Sequence, residues 1–293
     1  MLKNKFMSYT ILLLIYVVSF GIGLLVYNAL GDMNLLLRFL IMDIVTTLVI
    51  FIFSWIFNNS SIYDPYWSVL PQVMVIVLAL SGKTFHWTSY IMIILIEVWG
   101  LRLTLNCLIR FGNLKKQDWR YNNFQEKYPR LWPLISLTGI HLFPTLIVYL
   151  LMLPTVAYFD AVNNLTATNN FNMSSILAVI IAVAGIIFEL VSDIQSSHYR
   201  KKYPGKILNK GLWKVSRHPN YFGEIIFWFG IFLLMLSIKS NYWVLVLGPL
   251  ANLLMFSFIS IPMMEKRLIN KYPEYIDYAK NTNVLLPIKK QNN

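Results

Sequence analysis

Apolar residues run through this chain in long blocks, and few polar positions interrupt them. A helix needs about 20 apolar residues to cross a bilayer. Eight blocks meet or approach that length: Ser8 to Leu30, Leu35 to Phe57, Tyr66 to Leu80, Thr88 to Ile109, Leu134 to Ala157, Met173 to Asp193, Tyr221 to Ile238 and Tyr242 to Met263. The third is short and carries Pro65 and Pro71 near its start. The sixth is expected to continue as helix to about Arg200. The pattern predicts an all-α polytopic membrane protein with about eight transmembrane helices.

Composition agrees: 57% of the 293 residues are hydrophobic and 13% are charged, where a soluble domain carries about 25% charged residues. The net charge of +12 fits either nucleic acid or a membrane surface. Placement decides for the membrane, because Lys and Arg sit in short gaps between apolar blocks. Six fall between Arg110 and Arg130, seven between Arg200 and Arg217, and six from Glu265 onward. Residues Phe159 to Asn172 hold none, and the turn before the eighth block holds only Lys239. Those three basic regions are expected to be cytoplasmic. Eight spans place both termini there too, in line with Lys3 and Lys5; a re-entrant third span would turn the N-terminus outward. The first block is too long for a signal-peptide core and reads as an uncleaved helix. Asn164 opens an Asn-Leu-Thr glycosylation sequon on the outward side. The lone cysteine, Cys107, excludes an intrachain disulfide and reads as an inert buried thiol.

The polar residues inside apolar blocks carry the chemistry, since ionisable groups at membrane depth are costly. Glu189, Asp193, Ser196 and Arg200 share one helical stripe that descends from the membrane into the cytoplasmic layer. Such a stripe either pairs with other helices or lines a polar cavity. In a cavity, its carboxylates suit ribose hydroxyls or an amide, and Arg200 suits a phosphate. Arg217, His218 and Asn220 stand at the start of the seventh span, with Pro219 at a typical first helical position and Glu224 one turn beyond Asn220. A helix start favours anions, so residues 189–224 read as the seat of an anionic cofactor. Arg102, Asn106 and Arg110 form a second polar stripe, followed by Asp118, Arg120 and Tyr121 in the next loop. Asp64 either caps the third helix or reaches into the bundle as an acid. Asp43 is expected to pair with Arg38 or Arg102. Glu265 to Tyr275 reads as a short amphipathic helix on the cytoplasmic face or as a surface helix that anchors the eighth span.

Other chemistries lack their patterns. There is no phosphate-binding Gly-Lys-Ser/Thr loop, no dinucleotide Gly-x-Gly-x-x-Gly, no His-Glu-x-x-His and no serine elbow. His86, His141, His198 and His218 show no metal-ligand spacing, so no metal is expected. A carboxylate-built cation site in a transporter stays open.

Residues 211–224, Gly-Leu-Trp-Lys-Val-Ser-Arg-His-Pro-Asn-Tyr-Phe-Gly-Glu, resemble the signature of a membrane superfamily. It contains steroid 5-alpha-reductases, sterol reductases and isoprenylcysteine carboxyl methyltransferases. The best match is to the uncharacterised family related to the reductase C-terminal domain. The likeness is strong over 185–288, weaker over 64–130 and absent before 60. It implies an N-terminal pair of helices in 1–60 and a reductase-like domain in 61–293, with seven core helices preceded by an extra N-terminal one. It also implies NADPH in a cavity open to the cytosol and hydride delivery to an activated C=C bond of a lipid-like substrate. On that resemblance Glu189, Asp193, Arg200, Asn209, Arg217, His218, Asn220, Tyr221, Glu265 and Tyr275 hold the cofactor. Asn220 and Glu224 face its nicotinamide end. Asp64 matches the family's substrate-holding Glu. The family's Tyr falls at Trp99, three residues before Arg102 on the substrate side, which leaves Tyr66 or Tyr121 to supply the proton. The catalytic set so implied is Asp64, Tyr66 and Glu224. The alternatives are a methyltransferase using S-adenosylmethionine and a non-enzymatic transporter or lipid-binding protein. The expected location is a bacterial cytoplasmic membrane or the endoplasmic reticulum.

Overall fold

The structure is a computed structural model that describes residues 4–82, 84–166 and 171–289. Lys3, residues 167–170 of the Asn-rich loop and Lys290 lie outside the described residues. Among the described residues there is no strand, only isolated bridges from Ser216 to Asn283 and from Thr282 to Lys289.

Among the described residues, eight helical stretches are long and apolar enough to cross a membrane. The first two are α1 (Lys5–Ala29) and α2 (Leu35–Ile56). The third is a 3-10 turn, Ser60–Ile62, leading into α3 (Tyr66–Ser81), and the fourth is α4 (Trp87–Arg110). A short helix, α5 (Trp119–Lys127), occupies the basic stretch expected to be loop. The fifth stretch joins α6 (Trp132–Ile135), a π-helical turn (Ser136–Leu142) and α7 (Phe143–Asn163). The sixth and seventh are α8 (Met173–Lys202) and α9 (Pro219–Leu236). The eighth runs from a 3-10 turn at Ser240–Val246 through α10 (Leu247–Met255), a second π-helical turn (Phe256–Ser260) and α11 (Ile261–Lys271). A final helix, α12, covers Tyr275–Asn281.

Helix starts follow from local chemistry. Asn4, Asn34 and Asn172 accept backbone N–H bonds at the starts of α1, α2 and α8, from Met7, Leu36 and Ser175. Each satisfies a donor that has no partner within the helix. Two local expectations are corrected. Asp64 does not cap α3, whose cap position is Pro65 with no side-chain bond. Glu265 does not open a separate surface helix; α11 carries the eighth stretch unbroken to Lys271, and the break falls before Pro273, which disfavours helix in the residue ahead of it.

The chain divides into two compact units, Met1–Thr166 and Ala167–Asn293. In the first, α3 is the central helix: 61% of its span is buried, against 28% for α1 and α4. That explains its polar inner face, where Ser68 and Gln72 bond Thr104 of α4 at 2.8 and 3.2 Å. Asp43 is fully buried and its partner is not an arginine. The Tyr66 hydroxyl donates to its Oδ1 at 2.7 Å, while Arg38 donates to the Tyr27 carbonyl and lies over the Tyr27 ring. An arginine near a helix end reaches the nearest polar backbone more cheaply than a carboxylate at depth.

In the second unit α8 and α9 pack with their backbones touching. Leu177, Ile180, Val183, Ile187, Leu190 and Ile194 of α8 are exposed at helical spacing, a face suited to lipid. The other face presents Ala178, Ala182 and Gly185 to α9. A Cβ on Gly185 would stand 2.7 Å from the Gly223 carbonyl, and one on Gly230 would stand 2.6 Å from the Ala182 nitrogen. Small residues permit this approach. Gly185→Val is therefore expected to cost roughly 3 kcal/mol or more, the upper range for overpacking. An unchanged thermal midpoint of the detergent-solubilised variant would contradict that packing.

Candidate functional site

The long α8 places its polar stripe as a gradient of exposure. Glu189 is buried, with its Cγ against Gly223 of α9. Asp193 and Ser196 are half-buried, and Arg200 is exposed with Nε donating to the Ser196 carbonyl at 3.2 Å. The linker that follows is tied back to α8. Gln195 Oε1 accepts from Leu212 N at 3.0 Å, and Trp213 Nε1 donates to the Ser192 carbonyl at 3.2 Å. Gly211 permits this at φ +60°; a side chain there would collide with Gln195. Asn209 and Lys201, Lys202, Lys206, Lys210 and Lys214 are exposed along the same linker.

The start of α9 is built around one carboxylate. Glu265 Oε1 lies 2.8 Å from Arg217 Nε, an ion pair whose N–H is not aimed along the contact, and 3.0 Å from His218 Nε2. The Tyr275 hydroxyl donates to the same oxygen at 3.4 Å. Arg217 Nη1 also donates to the Ala279 carbonyl at 2.7 Å. Backbone bonds complete the clamp, with Arg217 N donating to Asn283 O at 2.8 Å and His218 N to Val284 O at 3.1 Å. An aromatic column stands on it: His218 stacks on Tyr221 with centroids 5.3 Å apart, and Tyr221 on Phe256 at 4.5 Å. Burial and the neighbouring Glu265 push the Tyr275 hydroxyl well above its ordinary pKa, so it stays a neutral donor.

Five residues singled out in the sequence thus meet in one cluster: Arg217, His218, Tyr221, Glu265 and Tyr275. Arg200 and Asn209 are exposed, on the last turns of α8 and in the linker. Asn220 is half-buried in the first turn of α9, and Glu224 is buried, accepting from Trp228 Nε1 at 2.7 Å. Tyr278, not anticipated, bonds the Trp213 and Ser216 carbonyls. Its signal was a second tyrosine three residues after Tyr275, on the same face of a short helix.

The first unit holds the other predicted residues and separates two of them. Asp64 is half-buried, and the Tyr121 hydroxyl donates to its Oδ1 at 2.6 Å. Tyr66, two residues on, faces Asp43 instead, with the Phe20 ring stacked on it. Tyr121 is set by α5, which Asp118 caps; that residue also pairs with Arg120 at 2.8 Å and bonds Ser61 Oγ through its backbone N–H at 2.8 Å. Burial, with Asp64 beside it, pushes the Tyr121 hydroxyl up, so it too is a neutral donor. Trp99 is fully buried and Arg102 half-buried on α4. Among the described residues no group of three His, Cys, Asp or Glu side chains is placed to hold a metal ion.

The model of a family described as "Protein of unknown function (DUF1295)" matches residues 50–282. An uncharacterized protein of Schizosaccharomyces pombe is 26% identical over 262 residues, which cover 78% of this chain and 73% of its own length. No solved structure matches the chain.

Proposed function

We propose that this chain, which belongs to the DUF1295 family, is a membrane reductase that uses NADPH to saturate a C=C bond in an unsaturated lipid. One observation carries the reading. In the second unit a buried-to-exposed stripe, Glu189, Asp193 and Arg200, leads into a segment with seven cations and no acid between residues 200 and 217. A dinucleotide has the matching polarity, with hydroxyls and an amide for the carboxylates and phosphates for the cations. The donor set fits that ligand, with one adjustment. Arg217 and His218 are bound to Glu265, and this reading gives the phosphate contact to Arg200 and the linker lysines. The clamp then serves to hold the start of α9, with Asn220 and Glu224, in place. The fold family's membership of the 5-alpha-reductase superfamily, and a cytoplasmic opening on the side of the basic loops, belong to the same proposal.

The cofactor, when bound, supplies the hydride. The chain's own residues must bind it, exclude water and deliver the proton. In this reading Asp64 and Tyr121 form the proton-delivering pair: the single phenolic O–H, which donates to Asp64 in the structure, turns to the substrate and gives up its proton there, and Asp64 keeps the phenol in place beforehand. Adding hydride to a double bond conjugated with a carbonyl builds negative charge on that oxygen, which a neutral hydroxyl can stabilise.

The Arg217–His218–Glu265 clamp also supports a second reading, because the same elements are shared with the methyltransferases of that superfamily. Ligand-dependent stability separates the two. At a hundred times Kd a ligand stabilises the folded state by about 2.7 kcal/mol. NADPH is expected to raise the thermal midpoint of the purified protein and S-adenosylmethionine to leave it unchanged. The reverse result would replace the reductase by the methyltransferase, and a shift with neither would remove both.

A further inference from the structure

The first unit carries a second polar feature that no step above uses. It is a groove of about 700 Å³ at the foot of α4 and α5. Its near wall is the turn at Asn58, a non-glycine residue at φ +47°. Its far wall is the segment from Asn113 through α5. Here the hydrogen bonds can be counted on both sides. Gln117 Nε2 donates to Asn122 Oδ1 at 2.9 Å and to Gln125 Oε1 at 3.0 Å. Gln125 Nε2 donates to Asn58 Oδ1 at 3.1 Å. Ser60 N donates to Gln117 Oε1 at 2.8 Å, and Lys115 N to Asn113 Oδ1 at 3.0 Å.

Every carboxamide oxygen in the groove is thus engaged within the protein. What remains, among the described residues, is one-sided: the amide NH2 groups of Asn58, Asn113 and Asn122, and the exposed ammonium groups of Lys115 and Lys116. All of these are donors, two of them charged. No carboxylate is among the lining residues. A groove whose remaining side-chain groups are all donors, two of them charged, is complementary to a multiply bonded oxyanion.

We infer that this groove binds a phosphate group, carried either by a lipid headgroup or by a soluble phosphate ester. Lys115 and Lys116 supply the charge, and the three asparagine amides supply directed bonds. Its position adds a consequence. Gln117 holds Ser60, the next residue Asp118 holds Ser61, and Tyr121 holds Asp64. An anion in the groove therefore steadies the segment on which the Asp64–Tyr121 contact is mounted.

The site is tested without NADPH or turnover, so its failure and that of the reductase reading are separate events. The full chain is purified into phosphatidylcholine nanodiscs with or without phosphatidic acid. Lipid retention is read by native mass spectrometry, and inorganic phosphate is titrated by calorimetry. Lys115→Ala/Lys116→Ala is expected to weaken binding of at least one probe about tenfold or more. Lys115→Arg/Lys116→Arg should retain it, and Lys266→Ala/Lys271→Ala, which removes charge elsewhere, should not change it. A loss confined to phosphatidic acid assigns a lipid headgroup, and one confined to phosphate assigns a soluble ester. Equal binding of both probes by the wild type and the Lys115→Ala/Lys116→Ala variant overturns the site, as does an equal loss in the Lys266→Ala/Lys271→Ala control.

Discussion

Tyr121→Phe and Asp64→Asn are each expected to lower turnover about 10²- to 10⁴-fold, the range for loss of a positioned proton donor, while NADPH binds as before. The argument rests on partners. Of the hydroxyls near the substrate-side residues, Tyr66 is fully buried beneath Phe20 and committed to Asp43. Tyr121 is instead held at 2.6 Å by the half-buried Asp64. Removing one hydroxyl forfeits a net hydrogen bond of about 0.5–1.5 kcal/mol, too little to unfold the chain. Turnover would be followed as NADPH consumption with membrane-dispersed enone lipids, alongside the NADPH dissociation constant and the thermal midpoint. A fall in kcat with both other quantities steady supports proton delivery. If Tyr121→Phe keeps full kcat, the pair is structural, and Tyr66→Phe becomes the variant to examine.

The second large effect concerns the cofactor. Arg200→Ala is expected to weaken NADPH binding about 10- to 100-fold, the value of one charge-assisted contact of about 1.5–3 kcal/mol. Adding Asn220→Ala should take binding below detection at working concentrations. Arg200 is exposed, so the fold should tolerate its loss, and Arg200→Lys should restore only part of the affinity because an ammonium lacks the planar fork. Rising salt should erode the wild-type affinity and spare what remains in Arg200→Ala. Normal NADPH binding by the double variant would remove the second unit's stripe from the cofactor site.

The helices were legible because lipid-spanning segments must satisfy their backbone internally and show apolar length. α8 is the clearest case. Its apolar stripe and its polar stripe both follow the helical period, so its run past Asp193 toward Arg200 could be read directly. The contacts were legible only where residues are close in sequence. Arg217 and His218 flag themselves beside Pro219, but that Glu265 joins them depends on where a later helix ends. Tyr121 and Asp64 are separated by 57 positions, and no periodicity links them. Asp43 was assigned to a cation on charge alone, whereas a tyrosine hydroxyl bonds one oxygen of the buried carboxyl without burying a second charge. The pairing of residues 217 and 218 with Asn283 and Val284 left no trace in pattern at all, since two residues of extended backbone carry no period.

The π-helical turn at Phe256–Ser260 lies between the apolar part of the eighth stretch and Glu265. Such a turn holds one residue more than its α-helical neighbours, and each residue advances a helix by about 100°. Everything beyond it is rotated by that amount relative to an uninterrupted helix. Glu265 therefore meets Arg217 and His218 because of a count, not because of the side chains in between. Exchanging Phe258 or Ile259, both exposed, leaves the angular setting of that carboxylate alone. Deleting a single residue there would turn it away from both side chains, so this stretch tolerates spelling changes and not changes of length.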